Sequence, residues 1–271
     1  MGNQTNDIRD AVRQNYSKVA ENYSMYPDCG CAPDAGNGCC APSSTIASKQ
    51  ISSKLGYSKE ELTNVPEGSN MGLGCGNPQA IAALQEGETV LDLGSGAGFD
   101  VFLAANQVGK KGKVIGVDMT PKMISKARKN AESGNYTNVE FRLGEIENLP
   151  VRDSSIDAII SNCVINLSPE KQKVFNDAYR VLIRGGRLAI SDVVATAELP
   201  EEMKNDMELY SGCVSGASTI DELEKMLKKA GFVNIEIKPK DESKEFIREW
   251  APGSKISDYI TSATIEAVKS I

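Results

Sequence analysis

Seven cysteines and no histidine limit the chemistry open to this 271-residue chain. Without imidazole, the commonest general base and the nitrogen ligands of catalytic zinc are missing. Thiolate sulfur is left as the reactive ligand, and soft thiolates select thiophilic ions. The cysteines are Cys29, Cys31, Cys39, Cys40, Cys75, Cys163 and Cys213. An odd number, with no export signal, reads as reduced thiols in the cytoplasm, used for reaction or ligation. Cys75 falls in the glycine-rich run GLGCGNP and Cys213 in the small-residue run YSGCVSGAS, so both read as loop cysteines. Cys163 follows an apolar strand pattern in SNCVINLSPEK, where a thiol is either a small buried hydrophobe or a reactive group.

A second constellation is the run VLDLGSGAGFD at 90–100, a strand leading into a glycine loop and then an apolar helix. Gly94, Gly96 and Gly98 let the backbone turn tightly and approach a ligand without a Cβ clash. The GxGxG spacing is shorter than the dinucleotide GxGxxG fingerprint. A glycine loop alone is weak, but the next strand, KVIGVD, ends in Asp118, where a carboxylate can take both hydroxyls of a ribose.

The elements that must hold these residues are legible as an alternation. The apolar runs VLDLG, KVIGVD, VEFRLG, IDAIISN and RLAISDVV are separated by helical patterns or loops, which implies a parallel sheet with crossovers. FVNIEIK and SATIEAVK bring the strands to seven. Thr120-Pro121 and Ser168-Pro169 each read as an N-cap with proline at the first helical position. Thr219 and Glu222 form a capping box for a helix that stops at Gly231. Ahead of the sheet, Ile8, Val12, Tyr16, Val19 and Tyr23 mark one stripe of an amphipathic helix over 7–26, ended by Pro27. A loop is expected over 28–45 and a helix over 48–55.

In ligand-binding α/β sheets the site lies at the carboxyl ends of the strands, which places Cys163 beside the glycine loop. The net charge of −7 argues against nucleic acid, and no apolar run is long enough to span a membrane. The start of the chain lacks the basic and apolar regions of a signal peptide.

From the glycine loop to Asp118 and the third-strand motif FRLGEIENLP, the chain resembles the class I S-adenosylmethionine methyltransferases over roughly residues 66–240. The resemblance implies a Rossmann-like, seven-stranded, mostly parallel α/β sheet with helices on both faces. It implies that Asp92, Gly94, Gly96 and Gly98 line the methionine part of the cofactor, with Asp118 on the ribose and Met119 on the adenine. It assigns adenine to Glu145 and Ile146, and it adds Asn162 to the cofactor contacts.

The motifs GCGNP, SNCVINLSPEK and SGCVSGA narrow this further, for they are similar to those of the arsenite methyltransferases. That resemblance implies that Cys75, Cys163 and Cys213 bind trivalent arsenic, supplied as arsenite or methylarsenite. It also implies a fourth, N-terminal cysteine in a redox cycle, Cys39 or Cys40 by spacing, reset by thioredoxin or glutathione. The extra cluster Cys29, Cys31, Cys39 and Cys40 departs from the family pattern. The expected division is a helical, Cys-rich extension over 1–65, a cofactor-binding core over 66–195, and a substrate-side insertion with the last strands over 196–271. Two alternatives stay open: a methyltransferase of an organic small molecule such as a quinone, and a thiol-rich metal-binding protein.

Overall fold

The computed structural model describes residues 2–23, 45–250 and 254–271. Seven strands form one sheet in the order β3-β2-β1-β4-β5-β7-β6. They are β1 (Thr89–Leu93), β2 (Lys113–Asp118), β3 (Val139–Leu143), β4 (Ile156–Asn162), β5 (Leu182–Ala195), β6 (Phe232–Lys240) and β7 (Ile260–Lys269). The first five pair in parallel, and β7 pairs antiparallel with both β5 and β6. All seven strand expectations are met, and the architecture is that of the class I methyltransferases.

The helices are α1 (Gly2–Asn22), α2 (Thr45–Lys54), α3 (Lys59–Thr63), α4 (Gln79–Ala82), α5 (Phe99–Val108), α6 (Pro121–Ser133), α7 (Lys171–Val181), α8 (Glu201–Lys204), α9 (Met207–Ser211), α10 (Ile220–Ala230) and α11 (Lys244–Trp250). Helix α1 starts five residues before the stripe at 7–26 predicts and ends at Asn22; the Pro27 stop lies outside the described residues. The α10 capping box is formed by Thr219 and Glu222, and Gly231 closes the helix in the left-handed region. At the two proline signals the local chemistry differs from expectation. Thr120 precedes Pro121 but makes no side-chain cap, because its hydroxyl, like its amide, turns back to the Asp118 carboxylate. Ser168 accepts from the Glu170 amide, and α7 begins only at Lys171, after a 3-10 turn at Ile165–Leu167.

Side-chain alternation along the strands builds two cores. Val90 and Val114 face a cluster with Phe102, Ile124 and Phe141 from the α5–α6 side. Leu91, Leu93, Ile115 and Val117 face the other cluster, with Val174, Phe175, Leu223 and Leu227 from α7 and α10. Each side chain of this size contributes roughly 1.5–3 kcal/mol on full burial. Together they fix the register, because a one-residue slip would turn every side chain of a strand to the wrong face.

That register sets the working edge. Leu93 of β1 lies opposite Ser161 of β4, and Asn162 lies opposite Ser191 of β5. Strands β1 and β4 therefore end level with Ser191 of β5, which runs on to Ala195, and the Gly94 loop, Cys163 and Asp192 meet at one place. A third apolar cluster sits over this edge, built from Val12 of α1, Leu167, Val193, Tyr210, Ile247 and Ile256, with Cys75 and Cys213 inside it.

Candidate active site: two cavities that share Cys163

The glycine loop opens into a cleft with about 1050 Å³ of empty space, counting its mouth. Asp92, Gly94, Gly96, Asp118, Met119, Ile146, Asn162 and Cys163 all line it. Gly94 has φ +69°, and a Cβ there would overlap the methyls of Val164. Only glycine allows β1 to turn so close to the end of β4. Asp118 is held in place by the Gly96 amide at 2.9 Å and the Thr120 amide at 2.8 Å. Gly98 does not line the cleft; a Cβ there would press on Phe102 and Phe141, so its part is to let α5 pack against the sheet.

Glu145 also departs from expectation. Its carboxylate turns to Arg13 at 3.2 Å, and Ile146 and Glu147 face the cleft in its place. Glu147 accepts from Arg9 at 3.0 Å and from the Ser168 hydroxyl at 2.7 Å. Arg9 is the basic side chain on the cleft wall, and it is occupied by Glu147 and Glu170. Helix α1 is thus tied by ion pairs to the loops beyond β3 and β4, with Arg9, Val12 and Tyr16 closing the cleft from above.

Cys75, Cys163 and Cys213 come together. Cys75 and Cys163 are joined by a disulfide, with Cα atoms 5.9 Å apart. This corrects the expectation of reduced thiols at these two positions. Cys213 stands outside that bond as a buried thiol, and its Sγ donates to the Cys163 carbonyl at 2.9 Å. Cys75 and Cys213 are in loops as expected, but buried, at 1% and 3% exposure. Cys163 and Cys213 both have left-handed backbone, φ +56° and +65°. For a residue with a Cβ this conformation costs roughly 1–3 kcal/mol and survives only where the surroundings hold it. Cys29, Cys31, Cys39 and Cys40 lie outside the described residues.

Asn162 is the clamp that aligns the loops. Its Oδ1 accepts from the Cys75 amide at 3.1 Å, and its Nδ2 donates to the Gly76 carbonyl at 2.8 Å and the Tyr57 hydroxyl at 3.0 Å. A Cβ on Gly74, at φ +152°, would come within 3 Å of this amide. Asn162 thus faces the cleft but spends its polar atoms on the Cys75 loop. Cys163, Tyr16, Leu73 and Gly74 also line a second cavity, which contains Cys213 and is bounded by Leu209, Val214, Phe246 and Trp250.

Three acidic and phenolic groups in this region escaped sequence reasoning. Asp100, in the first turn of α5, accepts from the Tyr57 hydroxyl at 2.8 Å. Its position just beyond the glycine loop was an available signal, whereas nothing local marks Tyr57. Asp192, near the end of β5, comes with the Cys75 and Cys163 sulfurs within 4.8 Å of one another. An acid at a strand's carboxyl end was readable by the same rule that placed Cys163.

Burial dominates the electrostatics. It pushes Asp100 and Asp192 up to about 6, against donated hydrogen bonds that pull each down. It raises Asp92 well above the usual carboxylate range, helped by the negative charges of Asp100 and Asp118, and it raises Asp118 as well. Each of these groups binds its proton more tightly folded than unfolded. Their contribution to stability is therefore full below the ordinary carboxylate range near pH 3.8 and is lost as pH rises through about 6. Urea unfolding of the ligand-free, oxidised protein should show stability falling between about pH 4 and 7, and substituting Asn for Asp100 should flatten that slope. A slope of the opposite sign, or one unaltered in Asp100→Asn, would contradict these assignments.

A family description for a methyltransferase domain matches residues 84–231. An arsenite methyltransferase of Halobacterium salinarum is 53% identical over 97% of this chain and 67% of its own length. The human arsenite methyltransferase is 41% identical over 64% of this chain, which spans about half of that relative (48%). Among solved structures, an arsenic (III) S-adenosylmethionine methyltransferase from Chlamydomonas reinhardtii is 35% identical, with a TM-score of 0.62 over 81% of this chain and 73% of that one. A methyltransferase sheet whose strand ends gather three cysteines, together with likeness along almost the whole chain, leads to one assignment: the chain belongs to the arsenite methyltransferase family.

Proposed function

We propose that this protein transfers methyl groups from S-adenosylmethionine to trivalent arsenic held on Cys75, Cys163 and Cys213, with arsenite and methylarsenite as substrates. The observation that carries this reading is Cys163, whose sulfur lies on the wall of the cofactor cleft with Cys75 and Cys213 beside it.

The cleft suits a cationic cofactor. Asp92, Asp100 and Asp118 line it, and its basic residue, Arg9, is already paired. Met119, Ile146 and Met123 give an apolar bed for a base, and Ser95 Oγ and Asn70 Nδ2 are buried there without a partner among the described residues. S-adenosylmethionine supplies a methyl carbon on a positively charged sulfur. Asp118, oriented by two backbone amides, is placed to accept ribose hydroxyls, and Asp92 and Asp100 oppose the positive charge.

The cysteines bind and orient the substrate. Arsenite and three thiols give three arsenic–sulfur bonds and three waters, so thiol protons leave with the hydroxides. Arsenic keeps a lone pair, which is the nucleophile toward the methyl carbon. No base has to remove a proton from it, which is why a chain without histidine can serve. The fixed strand ends hold the reacting atoms near the roughly 3–3.5 Å of a near-attack arrangement. Methyl transfer formally oxidises arsenic. A fourth thiolate, for which Cys39 or Cys40 is our candidate, then attacks an arsenic-bound sulfur, and the arsenic–sulfur electron pair stays on arsenic to restore the trivalent state. Thioredoxin or glutathione reduces the resulting disulfide. With Cys75 and Cys163 joined to each other, neither offers a thiolate, so the same reductant must open that bond before arsenic can enter.

Asp118→Ala should weaken S-adenosylmethionine binding by at most roughly 1.5–3 kcal/mol per lost charge-assisted bond while leaving arsenic affinity nearly intact. Calorimetry showing an unchanged cofactor affinity would remove Asp118 from the site. The thiols should divide their duties, because arsenite offers three positions for sulfur and methylarsenite only two. Incubation with cofactor and thiol, followed by arsenic speciation, should show Cys75→Ser failing on arsenite yet working on methylarsenite. Cys163→Ser and Cys213→Ser should fail on both. Equal loss on both substrates in Cys75→Ser would refute the division of labour, and full activity in Cys163→Ser would refute the chemistry.

A further inference from the structure

The second cavity is larger and more apolar than arsenite requires. Its empty space is about 1230 Å³ with its mouth, and it is bounded by Leu209, Val214, Phe246 and Trp250. The phenyl and indole rings of Phe246 and Trp250 pack together at 5.7 Å. Its charged lining side chains, Lys54 and Glu249, neutralise each other at 2.9 Å. A charged thiol peptide would find no open counter-charge on this lining, whereas hydrocarbon needs none.

The shared wall says which hydrocarbon. Cys163 lines both cavities, while Cys213 lines only the second. For arsenic held between them, the lone pair must face the cofactor cleft. The three other substituents of a pyramidal atom then point away from that cleft, toward the Cys213 side. We propose that the second cavity receives the methyl groups of partly methylated arsenic, and so sets how many transfers occur. This rests on the arsenic reading above. After one transfer, the fourth thiolate takes one arsenic-bound sulfur into a disulfide and the bonding pair returns to arsenic. The product carries one carbon and two sulfurs, with its lone pair where the departed sulfur was. For a second transfer the arsenic must turn that lone pair back to the cofactor cleft, which carries the carbon to the Cys213 side. A methyl group cannot hydrogen-bond, so the second transfer needs an apolar place for it.

Leu209 is half-buried on this wall, and enlarging it should crowd the methyl group without touching the cofactor cleft. One methylene more or less in an apolar pocket is worth roughly 10–200-fold. In Leu209→Phe the ratio of the methylarsenite rate to the arsenite rate should fall at least about tenfold, with monomethylated product accumulating. Calorimetric cofactor binding equal to that of the unsubstituted protein identifies correctly folded variant. A second measurement needs no substitution. Trp250 is the chain's single tryptophan, so its emission reports on this cavity alone. In reduced protein, methylarsenite should shift the emission to the blue by displacing water, and arsenite should not. An unchanged rate ratio in folded Leu209→Phe, or identical emission with the two arsenicals, would overturn the subsite. An unsubstituted protein that methylates neither arsenical would instead overturn the arsenic reading itself.

Discussion

Asp92 and Asp100 are buried and Asp118 half-buried in one cleft whose basic residue, Arg9, is committed to other acids. Burying carboxylates without a counter-charge is unfavourable, and the raised proton affinities of all three express that strain. A positively charged ligand relieves it. The fold therefore gives up stability near neutral pH in exchange for a cleft matched to a sulfonium, and cofactor selectivity follows from charge as much as from shape.

The thiols depend on the same edge of the sheet. Parallel registry of β1, β4 and β5 brings the Gly94 turn, Cys163 and Ser191 level, and the Ser191 carbonyl takes the Cys163 amide at 2.8 Å. Asn162 then binds the Cys75 loop to the end of β4, while Cys213 folds onto the Cys163 carbonyl. The left-handed backbone at Cys163 and Cys213 is maintained by this network rather than by local preference. Strain of this kind points each sulfur to one place, which a flexible loop could not do.

The sheet was legible in the sequence because its signals are local: period-two apolar runs, a glycine loop, the Thr219–Glu222 capping box. The approach of Cys75, Cys163 and Cys213 was legible only through the likeness of three motifs to a known family, since 88 residues of chain separate the first two. What escaped is long-range and polar. Glu145 looked like an adenine ligand from its place after β3, but Arg13, reaching in from α1, draws its side chain away and leaves Ile146 and Glu147 on the wall. Tyr57 meets Asp100 across 43 residues, with no spacing to announce it. The cap at Thr120 is absent because its amide and hydroxyl turn back to Asp118, and Ser168 takes the Glu170 amide ahead of a helix that begins only at Lys171.

Arsenic X-ray absorption on the reduced protein loaded with one equivalent of arsenite should show arsenic bonded to three sulfurs and no oxygen, and to two sulfurs when Cys213 is replaced by serine. Oxygen-ligated arsenic in the unsubstituted protein, or three sulfurs retained after loss of Cys213, would contradict arsenic binding by Cys75, Cys163 and Cys213.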